Sequence, residues 1–276
     1  MSINRSLVLV VLVASCVSLQ GQEGPNPPRR DPLLLNVLTR VVNVAGGVQA
    51  LAAVHNLTES GEITFYWAKD VKGPVSIRGL GGNHFRMEAD LPQGKRIWLV
   101  NDGNGSRKEG DKKAVVLPYA NATNLGNLTF PIGHVVAALS DLKTEVSLVG
   151  IEEQEGRSIY HLRLKGRLGL VGPKTSAGWF IKDVLVDALT FDILAVKDFP
   201  YHHRLRPNAP NKQKTSDRQN VSGDAPREIA FADFRMVNGV KVPFSIKTKL
   251  EGHSTFSISL KEVTFNTNLN DGDFTK

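Results

Sequence analysis

Glu62-Ile63-Thr64-Phe65-Tyr66-Trp67 alternates polar and apolar side chains, with Ile63, Phe65 and Trp67 on one side and Glu62, Thr64 and Tyr66 on the other. Successive side chains of a strand point to opposite faces, so this period of two predicts a strand with one covered face. Similar segments follow at 74–79, 83–90, 95–101 and 113–118, and again at 145–152, 157–165, 178–187, 190–198, 227–237, 240–250 and 254–265. Gly, Asn, Asp and Lys separate them. Asn101-Asp102-Gly103-Asn104-Gly105 and Val237-Asn238-Gly239-Val240 are hairpin signals, because Asn-Gly and Asp-Gly adopt the positive φ values of a type I′ turn. Roughly a dozen strands with little helix predict a strongly curved antiparallel sheet or barrel.

Helical spacing interrupts the strands in two places. Asp31-Pro32 supplies an N-cap and a first-turn proline, and Leu34, Leu38, Val41 and Ala45 then recur on one helical face until Gly46-Gly47. Val48–Val54 reads as a short second helix. Val135, Val136, Leu139 and Leu142 place another near Ile132–Leu142.

The first residues read as an export signal. Arg5 precedes the apolar run Leu7–Val13, which is far short of the ~20 residues a spanning helix needs. Val13-Ala14-Ser15-Cys16 has the form of a lipobox, after which Cys16, the only cysteine, would carry lipid. An ordinary signal cut near Ser18 or Gly21 is the other reading. Residues 1–16 are thus expected to be a signal peptide and 17–32, rich in Pro and Gly, a tether. Residues 33–276 are expected to be one domain, with a polar, basic insertion at 200–226. That insertion is either solvated loop or a mobile flap for anionic head groups.

The net charge of +7 suits solubility, or residence beside anionic lipid. No nucleic-acid-binding motif is present, so nucleic acid is not an expected partner. Asn-x-Ser/Thr triplets at Asn56, Asn104, Asn121, Asn127 and Asn220 would carry glycans in a eukaryotic secreted protein; beside a bacterial lipobox they read as polar turn chemistry. No catalytic set is expected: there is no Gly-x-Ser-x-Gly elbow, and His84, His134 and His161 are scattered core or surface histidines. Gly79, Gly81 and Gly82 sit in a strand-turn context and not in a nucleotide loop. His202-His203 lie near Asp198, but adjacent strand histidines face opposite ways, so no metal site is expected. No cofactor is expected either.

His84-Phe85-Arg86-Met87-Glu88, then Ile97-Trp98-Leu99-Val100-Asn101-Asp102-Gly103, then Asp187-Ala188-Leu189-Thr190-Phe191, and last Val263-Thr264-Phe265-Asn266 with Leu269 and Phe274, follow one another in a telling order. That order resembles the LolA/LolB family of periplasmic lipoprotein carriers and outer-membrane receptors, over roughly residues 33–275. The resemblance implies a mainly β (α+β) fold, a half-open antiparallel barrel of about 11 strands with helices packed at its mouth. It implies non-enzymatic binding or transport of lipid or lipoprotein acyl chains in the cell envelope, in the periplasm or anchored to the outer membrane. Arg86 matches the family arginine that holds the helical lid. Met87 stands where the carriers have tryptophan, and Ser106-Arg107-Lys108 where an aromatic is expected.

Phe65-Tyr66-Trp67 and Ile97-Trp98-Leu99-Val100 are apolar on both strand faces. A barrel enclosing an apolar cavity explains this, and Phe65, Trp67, Phe85, Met87, Trp98 and Trp179 are its expected lining. An ordinary two-sided core explains it equally, which leaves an envelope module with a filled barrel as the alternative function. A hydrolase on the same scaffold is a third. A carrier is physically reasonable because a buried methylene is worth ~0.8 kcal/mol in protein or bilayer alike, so transfer is nearly balanced.

Overall fold

The computed structural model describes residues 31–67, 69–117, 122, 125–141, 143–167, 179–198 and 226–275, without the side chains of Trp67, Lys69, Arg167 and Trp179. Cys16, the tether up to residue 30, His202, His203 and residues 200–225 of the insertion lie outside the described residues.

Asp31 caps α1 (Pro32–Val44), its carboxylate accepting from the Leu33 N–H at 2.9 Å. The helix buries the stripe Leu34, Val37, Leu38 and Val41. It ends at Gly46, where φ is 125°, and α2 (Gly47–Ala52) follows. A Cβ on Gly46 would come within 2.3 Å of the Gly239 carbonyl oxygen, so glycine is what lets the helical junction rest on that turn. The third helix, α3 (Ile132–Ser140), buries Ile132, His134, Val135 and Ala138.

The strands of the first half are β1 (Asn56–Trp67), β2 (Lys69–Leu80), β3 (His84–Leu91), β4 (Gly94–Asn101), β5 (Asn104–Glu109) and β6 (Val115–Leu117). Those of the second are β7 (Glu145–Gln154), β8 (Arg157–Arg167), β9 (Trp179–Asp187), β10 (Ile193–Asp198), β11 (Arg227–Val237), β12 (Val240–Leu250) and β13 (His253–Phe265). All belong to one sheet, in the order β6-β5-β4-β3-β2-β1-β13-β12-β11-β10-β9-β8-β7. Each half is a meander, and the antiparallel pairing of β1 with β13 welds them at the centre. The edges are β6 and β7, and no pairing joins them among the described residues.

The sheet curls. A flat sheet of this width would span ~58 Å at ~4.8 Å per strand, against ~20 Å for the length of α1. Yet one apolar cluster draws on α1, α3 and strands from both halves, from Met87 and Val100 to Leu162 and Val184. The Phe65 and Trp98 rings, three strands apart, stack at 5.8 Å and 17°. Bulges assist the bend, including one between Ser60 and Gly61 where β1 crosses β13. A Cβ on Gly61 would lie 2.2 Å from the Ser259 carbonyl oxygen, so the central seam closes only over glycine.

The strand count of about 11 is corrected to thirteen. The strand that sequence patterning misses is β5, Asn104-Gly105-Ser106-Arg107-Lys108-Glu109. It carries no apolar alternation, and its pairing is set by the preceding turn, with Asp102 and Gly103 at positive φ, and by the backbone of β4. The Asn238-Gly239 hairpin stands as the sequence requires, with φ of 48° and 81°.

Beyond β13 the chain straps the outer face. Asn56 and Thr267 exchange hydrogen bonds at 2.8–3.1 Å, and a 3-10 turn (Asp271–Phe274) then packs on β3 and β4. Phe274 is fully buried there, 5.4 Å from the His84 ring.

Candidate functional site

The inner face is the side that α1 and α3 cover. In the β3–β4 register Phe85 lies opposite Val100 and Met87 opposite Trp98, so these four share that face. Phe65 joins them from β1, stacked on Trp98 and tilted against Phe256 at 5.7 Å, with the Arg96 guanidinium 5.0 Å from its ring. The structure thus brings Phe65, Phe85, Met87 and Trp98 to one apolar neighbourhood. Phe65, Phe85 and Met87 are at most 2 % exposed, and Trp98 is half-buried against the same cluster. Trp67 ends β1 and Trp179 begins β9; their side chains lie outside the described residues.

Arg86 points to the outer face. Its guanidinium donates to Glu88 at 2.5 Å and to the carbonyl oxygens of Asp273 and Thr275 at 3.1 Å each. The helical segment it holds is therefore the C-terminal 3-10 turn. Burial pushes the Glu88 carboxyl up, but hydrogen bonds from Arg86 and Lys95 outweigh it and leave the group below its ordinary value.

A groove of about 350 Å³ opens on the seam between α2, α3 and the ends of β1 and β2. Leu51, Val54, Leu57, Leu80, Phe130 and Val136 give it apolar walls, and His55, Asn56, Asn83 and Asn127 a polar rim. Next to Leu57 on the inner face of β1 sits Glu59, 4 % exposed. Desolvation pushes its carboxyl up to about 7, although a hydrogen bond with Thr129 pulls the other way, and its Oε2 has no partner. Between α1, α3 and the β9–β10 turn the packing is tight, leaving about 20 Å³ against Val41, Ile132 and Phe191.

A second buried set lies at the end of the inner face from which the 168–178 and 199–225 connections leave. Lys182, Asp198 and Arg227 are opposite one another across β9, β10 and β11. Arg227 grips Asp198 with two bonds, Nε–Oδ1 at 2.9 Å and Nη2–Oδ2. From α3, His134 Nδ1 accepts from the Lys182 ammonium at 3.2 Å, and its Nε2 has no partner. Burial pushes Lys182 down to about 8, Asp198 opposing and Arg227 assisting. Burial and the charges of Lys182 and Arg227 hold His134 well below its ordinary value, so it is a neutral core histidine. Sequence reading missed this set, because nothing local ties residues 134, 182, 198 and 227; only register does. Among the described residues no three His, Cys, Asp or Glu side chains group as metal ligands would.

No family model matches the sequence, and no curated protein matches it. Solved structures do match its fold. A LolA superfamily protein from Nitrosomonas europaea superposes with a TM-score of 0.53 at 12 % identity, over 88 % of this chain and 97 % of that one. This chain therefore shares its fold, an open and curved antiparallel sheet, with that protein. A domain described as outer membrane lipoprotein-sorting, from Vibrio parahaemolyticus, superposes at 0.49 and 11 % identity over 87 % and 95 % of the two chains. A DUF1329 family protein from Desulfovibrio piger follows at 0.47 and 11 % identity, over 88 % and 97 %.

Proposed function

We propose that the protein is a non-enzymatic carrier or receptor that holds acyl chains of a lipid or lipoprotein against the inner face of its open sheet. The observation that carries this reading is a wide, curled sheet whose apolar inner face is covered, among the described residues, by short helices, with an apolar groove on their seam. Phe65, Trp67, Phe85, Met87, Trp98 and Trp179 line the chain's path, which opens as α2 and α3 move off β1 and β2. Burial of apolar area drives uptake, and the equal value of a methylene in protein and bilayer permits release. Arg86 has a closing role, fixing the C-terminal turn so that the β3–β4 wall stays rigid while the helices move.

Export to the envelope follows from the signal-like start. If Cys16 is lipidated, the tether of residues 17–32 keeps the barrel at a membrane as a receptor; cut beyond Cys16, the chain is a soluble shuttle. Labelling cells with a clickable palmitate separates the two: label in wild type that is lost in Cys16→Ala supports the receptor, and an unlabelled wild type overturns it. The carrier itself is tested by mass spectrometry of lipid extracts of the gently purified protein. Stoichiometric, exchangeable acyl lipid supports it; bare protein that takes up no acyl probe contradicts it.

A second reading is favoured by one observation. Phe65 is packed on two sides, by Trp98 and Phe256, as in a filled core. On that reading the chain is an interaction module of the envelope, and the same extraction returns no lipid.

A further inference from the structure

β4 breaks the pattern expected of a sheet with one wet face. Its outward side chains include Ile97 and Leu99, opposite Glu88 and Arg86 of β3 and Lys108 and Ser106 of β5. An outward face in water favours polar side chains, so two adjacent apolar positions there need a cover. Leu99 already has one and is only 8 % exposed, whereas Ile97 is half-buried. Leu99 and Ile97 floor a groove of about 400 Å³, walled by Arg86 of β3 and Thr275 of the C-terminal strap and by the loop Asp111–Ala114 between β5 and β6. This groove lies on the other face of the sheet from Phe65 and Trp98.

Its charges are unevenly satisfied. Arg86 is held by Glu88 and the two strap carbonyls, and Lys112 pairs with Glu109 at 3.5 Å. Among the described residues no carboxylate lies within ion-pair distance of Lys108 or Lys113 at the rim, and the free carboxylate is Asp111 alone. The result is an apolar floor under a rim with two uncompensated ammonium groups and one carboxylate. A volume of about 400 Å³ lies at the small end of ligand sites, which run ~300–1,000 Å³.

We infer that this outer groove is a binding site for a small amphiphile with one anionic head, a carboxylate or phosphate monoester, and a single medium-length alkyl chain. The head sits between Lys108 and Lys113, and the chain covers Ile97 and Leu99. Lysine ammonium groups act as point charges with three donors each, so either head is accommodated. The site is independent of acyl binding on the inner face, and both can be filled together.

Calorimetric titration of the full chain at pH 7.5 tests it, with decanoate, decyl phosphate, decanol and inorganic phosphate as probes. Lys108→Glu/Lys113→Glu changes only exposed side chains, so its melting temperature should equal that of wild type. The inference expects saturable binding of decanoate and decyl phosphate, and at least tenfold weaker binding of decanol and of inorganic phosphate. It also expects at least a tenfold loss of decanoate affinity in the double variant. Decanoate affinity unchanged in that variant would place the ligand on the inner face and overturn the outer site. Inorganic phosphate as tight as decanoate would overturn the amphiphile, leaving a free-anion site. Uptake of long-chain acyl probes by the double variant, unchanged from wild type, separates this result from any failure of the carrier reading.

Discussion

Two buried neighbourhoods share the inner face of the sheet. Around Phe65 the side chains are mainly aromatic and aliphatic and stacked, with the Arg96 guanidinium 5.0 Å from the Phe65 ring. Around Asp198 they are ionic, an Arg227 fork and a Lys182 ammonium whose pKa burial lowers to about 8, capped by His134. The first stabilises by area and packing, and a deletion there leaves a void. The second stabilises little in net terms, because desolvating both ions offsets their attraction, but breaking it strands a buried charge. On the proposed carrier reading, an acyl chain would gain from the first neighbourhood and be repelled by the second. On that reading the sheet has a direction: an apolar side that would exchange protein contacts for lipid contacts, and an ionic end that would stop a chain from running through.

Phe65→Ala should bring the largest loss, about 4 kcal/mol, read as a lowered urea midpoint with unchanged slope. If acyl chains occupy the void, added fatty acid restores part of that loss by mass action; a purely structural core would not respond. Arg227→Ala should cost about 3 kcal/mol, since Asp198 is 3 % exposed and loses its only fork. The double change Arg227→Leu/Asp198→Leu should cost much less than Arg227→Ala, and a loss equal to or above it would contradict the offset just described.

Glu59 sharpens the contrast through pH. Its folded value of about 7 exceeds the ordinary 4.5 of an unfolded chain. The folded state therefore keeps a proton that the unfolded state has lost. Stability from this site is full below pH 4.5, falls as pH rises toward 7 and is flat above. Glu59→Gln should accordingly be more stable than wild type above pH 7, by about 3 kcal/mol, with the gap closing below pH 4.5. Denaturation at pH 4 and pH 8 measures both ends. The smallest expected effect is at Asp187, outside either neighbourhood, whose carboxylate accepts from the Leu189 and Thr190 N–H groups at 2.8 and 2.9 Å. Asp187→Ala should cost about 1–2 kcal/mol and leave acyl binding unchanged.

What the sequence made legible is what short-range chemistry dictates. Asp31-Pro32 announced α1, Asn238-Gly239 its hairpin, and Asp187-x-x-Thr190 marked a turn whose hydrogen bonds explain the motif. Alternation in Ile63 and Phe65 identified the covered face, and the order of motifs pointed to the LolA-type sheet. β5 was illegible because its residues are polar and its place is set by neighbours. The ionic set at 134, 182, 198 and 227 was illegible because it exists only through cross-strand register and one helix. Ile97-Trp98-Leu99-Val100 was noticed for being apolar on both faces, yet its two faces serve different ends. Trp98 and Val100 enter the inner core, whereas Ile97 and Leu99 floor the outer groove.

The proposed function puts the three tryptophans, Trp67, Trp98 and Trp179, on the path of the bound chain. Energy transfer from tryptophan to cis-parinaric acid, in the Lys108→Glu/Lys113→Glu background that reverses the rim charges of the outer groove, tests that proposal most directly. Inner-face binding predicts saturable quenching of tryptophan emission with matching sensitised probe fluorescence, competed by palmitate. Tryptophan emission that stays unchanged as the probe is added to saturation would contradict an acyl chain held against the inner face.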